Sequence, residues 1–558
     1  KVIGGETYLF PPDKLQEGAD LIESADVLIG HNIIGFDIPV LKKHFNLNLT
    51  NHIEDTLVVS RLVNPVLTGG HSLENWGYIL YPNEADKRKA QQPDSWKNYT
   101  EEMGKYCIQD VELNADVYYK LLEQVENFSQ ESVDLEHSVA KIMKEQEING
   151  FMLDEQKATM LAAKLNSKMA EIEKKVHETF KPKWVDDKLV TPKLRKDGTL
   201  SKVGLTNEEM RKCLRANNFK PFMRQKWVTF NLASRKQIGE YLIDFGWKPT
   251  KFTPTGQPIV DETTLEKVKD IPEATLIAEF MMLQKRVAQV SSWLELSNDS
   301  RVHGFVIPNG AITGRMTHRS PNVAQTPSSH KPYGKECREC WTVPEGYKLV
   351  GIDASGLELR VLAHYMKNKE YVNEIINGDI HSTNQTLAGL GSRSQAKTFI
   401  YALIYGAGDA KIGSVVGGNS KAGATLRSSF IRNLPSLGNL TTSVERAAQT
   451  RKYLKALDGR VIHIRKVYSS LNTLLQGGGA IIMKTALVLL YNQIKELKLN
   501  AKFVANVHDE WQIEVIEDQA ETVGKLGVKA IRDTQNVLNL NCPLDGEYKI
   551  GKDWSETH

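Results

Sequence analysis

Residues 501–514 read Ala-Lys-Phe-Val-Ala-Asn-Val-His-Asp-Glu-Trp-Gln-Ile-Glu, two apolar strands with His508, Asp509 and Glu510 at the bend between them. A second short apolar run, Tyr347 to Asp353, also ends in a carboxylate. A sheet that pairs these strands brings Asp353 and Asp509, distant in the chain, side by side.

Between them lies Arg393-Ser-Gln-Ala-Lys-Thr-Phe-Ile-Tyr-Ala-Leu-Ile-Tyr-Gly-Ala-Gly408. Arg393, Lys397, Tyr401 and Tyr405 recur every four residues, which on a helix puts them on one face, about 6 Å apart along the axis. Gly406 and Gly408 stop that helix. Two cations followed by two hydroxylated rings are not what core packing asks for. A nucleotide does ask for them: cations meet a triphosphate, and a ring stacks on a base or sugar. A solvated basic turn running into a buried aromatic face gives the same pattern when taken alone. The acidic sites flanking the helix favour the nucleotide.

Together these residues resemble the family A DNA polymerases. Arg-x3-Lys-x3-Tyr-x3-Tyr-Gly, Asp353-x-Ser355-x-x-Glu358 and His508-Asp509-Glu510 are similar to that family's three polymerase motifs and stand in its order. The chain is most similar to the replicative polymerases of podovirus-type bacteriophages, over nearly its whole length. The resemblance implies an α/β multidomain protein, an RNase H-like (DnaQ-like) exonuclease domain followed by a right-hand palm, fingers and thumb. The boundaries expected are 1–128 for the exonuclease-like domain, 129–157 for the start of the palm and 158–302 for the thumb, then 303–366 palm, 367–469 fingers and 470–558 palm. The implied reaction is template-directed addition of dNTPs to a primer 3′-OH by two-metal phosphoryl transfer, in phage genome replication.

By the same resemblance, Asp353, the Ala354 carbonyl and Asp509 hold two Mg²⁺ ions, with Mn²⁺ able to substitute; hard oxygen ligands suit both. Glu510 is a further acid beside them. Arg393 and Lys397 meet the outer phosphates, and Lys397 can protonate the pyrophosphate. His381, in Gly-Asp-Ile-His, is either a third phosphate contact or a plain helix-start histidine. Tyr401 stands beside the sugar 3′ carbon, which implies easy termination by dideoxynucleotides and less of it in Tyr401→Phe. Ser355-x-x-Glu358 fits a capping box, while the resemblance has Glu358 block a ribose 2′-OH with Tyr405 packed against it. A single-subunit RNA polymerase shares the carboxylates but needs room there, so Glu358 favours dNTPs. Arg315, in Thr-Gly-Arg, is a primer-end minor-groove contact or an exposed turn residue, and His508 is a further DNA contact. Asn472 and Gln476 lie one helical turn apart, where amides facing the minor groove meet acceptors nearly the same for every base pair. Gly477, Gly478 and Gly479 then permit close backbone approach.

The first residues, Lys1 to Phe10, read as a strand, and Val27 to Ile29 as another. His31-Asn32 through Gly35-Phe36-Asp37, and Tyr106-x3-Asp110 on a helix, resemble two of the three motifs of DnaQ-like 3′–5′ proofreading exonucleases. The family's first motif, Asp-x-Glu, is not found before Asp37. Either the natural beginning is missing or Asp37, Tyr106 and Asp110 are a remnant on a scaffold. Little or no exonuclease activity is expected of the chain as given. His71 and Trp76 pack this domain. The final residues, Gly551 to His558, resemble the podovirus carboxyl terminus, so that end reads as complete.

Between Lys181 and Phe230 there are thirteen Lys or Arg against five Asp or Glu, with prolines and glycines breaking any regular helix. This basic, loop-like insert, at about 181–230, is either a phosphate contact or a solvated loop. It stands where podovirus polymerases capture host thioredoxin as a processivity factor. Net charge over all 558 residues is only +3, so any basic surface is local. Five Cys suggest no disulfide framework and a reducing, cytoplasmic compartment. Cys337-x-x-Cys340 alone lacks the four ligands of structural zinc. No run reaches about 18 apolar residues, so no membrane partner is expected. The partners implied are primer–template DNA, dNTPs, thioredoxin, a replicative helicase-primase and a single-strand-binding protein. The rival in another class is a primer–template-binding protein without catalysis, which would have no use for paired metal carboxylates.

Overall fold

The sheet expected from the two apolar stretches forms. In the computed structural model, which describes residues 1–45, 47–88 and 97–558, it has four antiparallel strands in the order Ala501–Val507, Glu510–Ile516, Tyr347–Ala354 and Gly546–Gly551. Alternation sorts its side chains. Trp511, Ile513 and Val515 face one way with Val350 and Ile352, all fully buried. The helices Ser470–Glu496 and Ala520–Val537 share this core. The 520–537 helix sits so close that a Cβ on Gly527 would be 2.2 Å from Ile352 Cδ1. The other face of the 510–516 strand is polar yet equally buried, and each group is matched. Glu514 takes two bonds from Arg301 Nη2 (3.0 and 2.8 Å), and Gln512 Oε1 accepts from Thr557 Oγ1 (2.8 Å).

The chain divides into two units, Lys1–Glu155 with Leu296–His558, and Gln156–Glu295. In the first, parallel strands Val27–Gly30 and His52–Asp55 lie among helices, including Glu101–Val125. Trp76 is buried with Leu113, Val117 and Leu121, as expected of a packing residue. His71 shares a hydrogen bond with Ser60 Oγ (2.8 Å). The strand expected at Lys1–Phe10 does not form. Gly4 turns the chain at φ 71°, and Val2 N bonds to Glu6 O, so the segment closes on itself instead of pairing with a sheet. The helical stretch Val467–Glu496 is, among the described residues, long and apolar enough to cross a membrane, contrary to the expectation from the sequence. However, 78% of its most apolar 18-residue segment is buried inside the protein, which marks a core helix.

In the second unit the insert is not loop-like. Strands Lys183–Val190 and Phe222–Val228 pair antiparallel, with Trp184 opposite Trp227, and a helix spans Asn207–Ala216. Thr206 and Glu209 close a capping box at its start, and Asn217 ends it in the left-handed region. The prolines and glycines mark the turns between these elements; they do not abolish them. Cys337 and Cys340 are fully buried packing residues in the first unit.

Candidate functional site

The hairpin bend is tight, with His508 at φ 58°. It places Asp509 against the end of the 347–354 strand, where Ala354 N donates to Asp509 O at 3.1 Å. Asp353 stands opposite Glu510 on one side and Glu547 on the other. Burial, then the charges of Asp509 and Glu510, push the Asp353 carboxyl up to about 7. Asp509 is raised as well, by burial and then by Glu358. Glu510 behaves differently. Burial alone would raise it, but the hydrogen bond and charge of His558, then Arg338 and Trp554, hold it below its ordinary value. His558 Nδ1 lies 2.8 Å from one oxygen, and Trp554 Nε1 and Gln512 Nε2 donate to the other, each at 2.5 Å. Protein groups therefore neutralise Glu510, while Asp353 and Asp509 crowd like charge into one partly buried place. Two adjacent, desolvated carboxylates are a donor set that fits a hard divalent cation.

The helix Arg393–Ile404 buries Ala396, Phe399, Ile400, Leu403 and Ile404. Arg393 and Lys397 are exposed on the remaining face. Tyr405 is the C-cap residue, not a member of the helix, and Gly406 at φ 72° ends it as expected. The Tyr401 and Tyr405 rings stack 6.3 Å apart, and His381 lies 6.2 Å from Tyr401. His381 is depressed by burial, then by Arg393 and Lys397, so all three groups share one place. It follows Asp379, the cap of the helix Ile380–Ala388, so the helix-start description also holds.

The capping box expected at Ser355 does not form. Gly356, in the left-handed region at φ 59°, takes the N-cap of Leu357–Met366 and leaves Glu358 for other work. Tyr405 Oη donates to Glu358 Oε1 at 2.7 Å, and Arg315 Nη2 lies 3.6 Å from the same oxygen. Arg315, Glu358, His508, Asp509 and Lys484 line one cleft. Gln476 Nε2 donates to Asn472 Oδ1 at 2.9 Å, so these amides do share a face. Of the three glycines after them, Gly477 and Gly478 admit close approach by the protein's own side chains. A Cβ on Gly477 would be 2.7 Å from Ile462 Cδ1, and one on Gly478 2.8 Å from Val361 Cγ1. They let the long helix pack against the protein's own side chains.

Asp37 opens the helix Asp37–Phe45, and Tyr106 and Asp110 sit on Glu101–Val125. Asp37 is raised, by burial first. The sequence motifs did not point to Asp55, whose buried carboxylate accepts from the amides of Asn32 (2.8 Å), Ile34 (3.1 Å) and Leu57 (2.9 Å) and so holds the loop leading to Asp37. An Asp before the apolar Leu57-Val58-Val59 run was its signal. Nor did they point to the buried cluster in which Glu136 Oε1 accepts from Lys484 (2.6 Å) and Arg460 (2.5 Å).

Residues 202–556 match the family model described as DNA polymerase family A. The chain is 33% identical to the DNA-directed DNA polymerase of Enterobacteria phage T3, an alignment covering 99% of this chain and 96% of that one. It is likewise 33% identical to the DNA-directed DNA polymerase of Escherichia phage T7, covering 95% and 92%. Among solved structures it is similar to the POL domain of Pol1 from M. smegmatis in complex with DNA primer-template and dNTP. The TM-score is 0.76 at 18% identity, over 98% of this chain and 89% of that one.

Proposed function

The chain belongs to DNA polymerase family A and is a DNA-directed DNA polymerase of the phage type, and on that premise we propose that Asp353 and Asp509 hold two Mg²⁺ ions, replaceable by Mn²⁺, where a dNTP joins a primer 3′-OH. The observation that carries this reading is the bond from Ala354 N to Asp509 O, which seats two partly buried carboxylates with raised pKa values next to each other. Bound there, the ions activate the primer hydroxyl and neutralise the triphosphate and departing pyrophosphate. The Ala354 carbonyl is a further ligand. Arg393, Lys397 and His381 bind the outer phosphates, and Lys397 protonates the pyrophosphate. Tyr401 packs beside the sugar, and Glu358, tethered by Tyr405, excludes a 2′-OH. Arg315, His508, Asn472 and Gln476 meet the primer–template. The structurally similar Pol1 domain is in complex with DNA primer-template and dNTP, which supports the same two ligands here.

Extension of a labelled primer tests the reading. Asp353→Ala is expected to lose about a thousandfold in rate while still binding primer–template. Extension at the wild-type rate would remove Asp353 from the chemistry.

For the 181–230 insert we propose a protein partner, host thioredoxin. Trp184, Leu189, Met223 and Trp227 all stand exposed, and strand alternation puts them on one side of the ribbon, with Trp184 at 62% and Trp227 at 57% exposure.

A further inference from the structure

The guanidinium of Arg393 is held before any ligand arrives. Its Nε donates to Asp379 Oδ2 at 2.6 Å and its Nη2 to Oδ1 at 3.1 Å, a two-point contact along one edge. The carboxylate is itself fixed. Oδ1 also accepts from His381 N (3.1 Å) and Oδ2 from Ser382 Oγ (2.8 Å), because Asp379 caps the Ile380–Ala388 helix. Both partners are about half exposed, at 57% and 43%. An ion pair that open adds little to folding stability. What a two-point contact adds is direction, since the guanidinium is a planar fork with five donors and only one edge is used. Nη1 is left over by that contact, and the charges of Arg393 and Lys397 both act on the His381 ring, whose buried Nδ1 has no hydrogen-bond partner among the described residues.

We propose that Asp379 is a positioning residue for the nucleotide site: by holding one edge of Arg393 it presents the other, together with His381 and Lys397, to the triphosphate of the incoming nucleotide. The proposal rests on the reading of Arg393 as a phosphate contact. The same contact could instead block the site until phosphate displaces it, but the two effects have opposite signs. The carboxylate uses Nε and Nη2, so a phosphate reaching Nη1 need not displace it. The long side chain is then ordered before binding, and that ordering is not charged to the nucleotide.

The test is steady-state kinetics of Asp379→Asn, which removes the charge and keeps a good helix cap, with Asp379→Ser as a second capping variant. The KM for dNTP is expected to rise about threefold to tenfold, with kcat within about twofold. Inhibition by inorganic tripolyphosphate, a probe that meets only the phosphate site, should weaken by the same factor. In an Arg393→Ala background the substitution should add nothing. A KM that falls or stays put in both capping variants overturns the proposal, as does the same rise without Arg393. If Arg393→Ala itself leaves KM and tripolyphosphate inhibition unchanged, the phosphate-site reading fails and takes this proposal with it.

Discussion

Asp353 keeps its proton to about pH 7 because burial, then Asp509 and Glu510, disfavour the anion. Its folded-state pKa lies above the ordinary 3.8, so the folded state binds the proton more tightly than the unfolded chain. The metal-free protein is therefore expected to lose stability as pH rises from about 4 to about 7. Melting in EDTA at roughly pH 5.5 and 7.5 checks this: the fall in Tm should shrink in Asp353→Asn, and an equal fall would contradict it. A divalent cation must displace the same proton, so its affinity should climb with pH, approaching about tenfold per unit below pH 7. Glu358 is the second residue whose role turns on its contacts. Glu358→Ala is expected to reduce selection of dNTPs over rNTPs by about 10- to 200-fold in competitive primer extension. Unchanged selection would count against the role.

The elements show why some of this was legible in the sequence and some was not. The 501–516 hairpin and the 393–404 helix each carry their own period and their own stop signal, so local pattern sufficed. The capping box at Ser355 was a local inference too, and it failed because Gly356 could adopt a left-handed cap that Ser355 could not displace. The strand assigned to Lys1–Phe10 failed because a strand needs a neighbour, and apolar residues alone do not supply one. Glu136 was invisible for a stronger reason: its partner Lys484 lies 348 residues away. That cluster joins the helix Gln130–Asn149 to Ser470–Glu496, with Glu136 and Lys484 both almost wholly buried. Glu136→Gln leaves the buried Lys484 without its anion, while Arg460 keeps Asp458 at 2.7 Å, and is expected to destabilise the protein by about 3–5 kcal/mol. Urea unfolding measures it, and a change under about 1 kcal/mol would mean the cluster relaxes or takes in water.

Across the whole molecule, the motifs identified the polymerase and left the insert unread, because charge counting sees neither pairing nor exposure. The alternation that exposes two tryptophans on one side of the ribbon becomes visible only once Trp184 is opposite Trp227. If that face takes thioredoxin, adding it should lengthen the products of wild-type primer extension, and the pair of changes Trp184→Ala and Trp227→Ala should weaken binding about thirtyfold or more. Equal product lengths with and without thioredoxin would discard that partner. The central claim is narrower: two acids brought together by one strand end and one hairpin bend hold the metals. Its most direct measurement is electron paramagnetic resonance of Mn²⁺ bound to the enzyme with dNTP and a dideoxy-terminated primer–template. Two ions per chain are expected in wild type. Asp353→Asn and Asp509→Asn should each lose them, and the double variant should be no worse than either. Wild-type Mn²⁺ binding by either single variant would contradict the account.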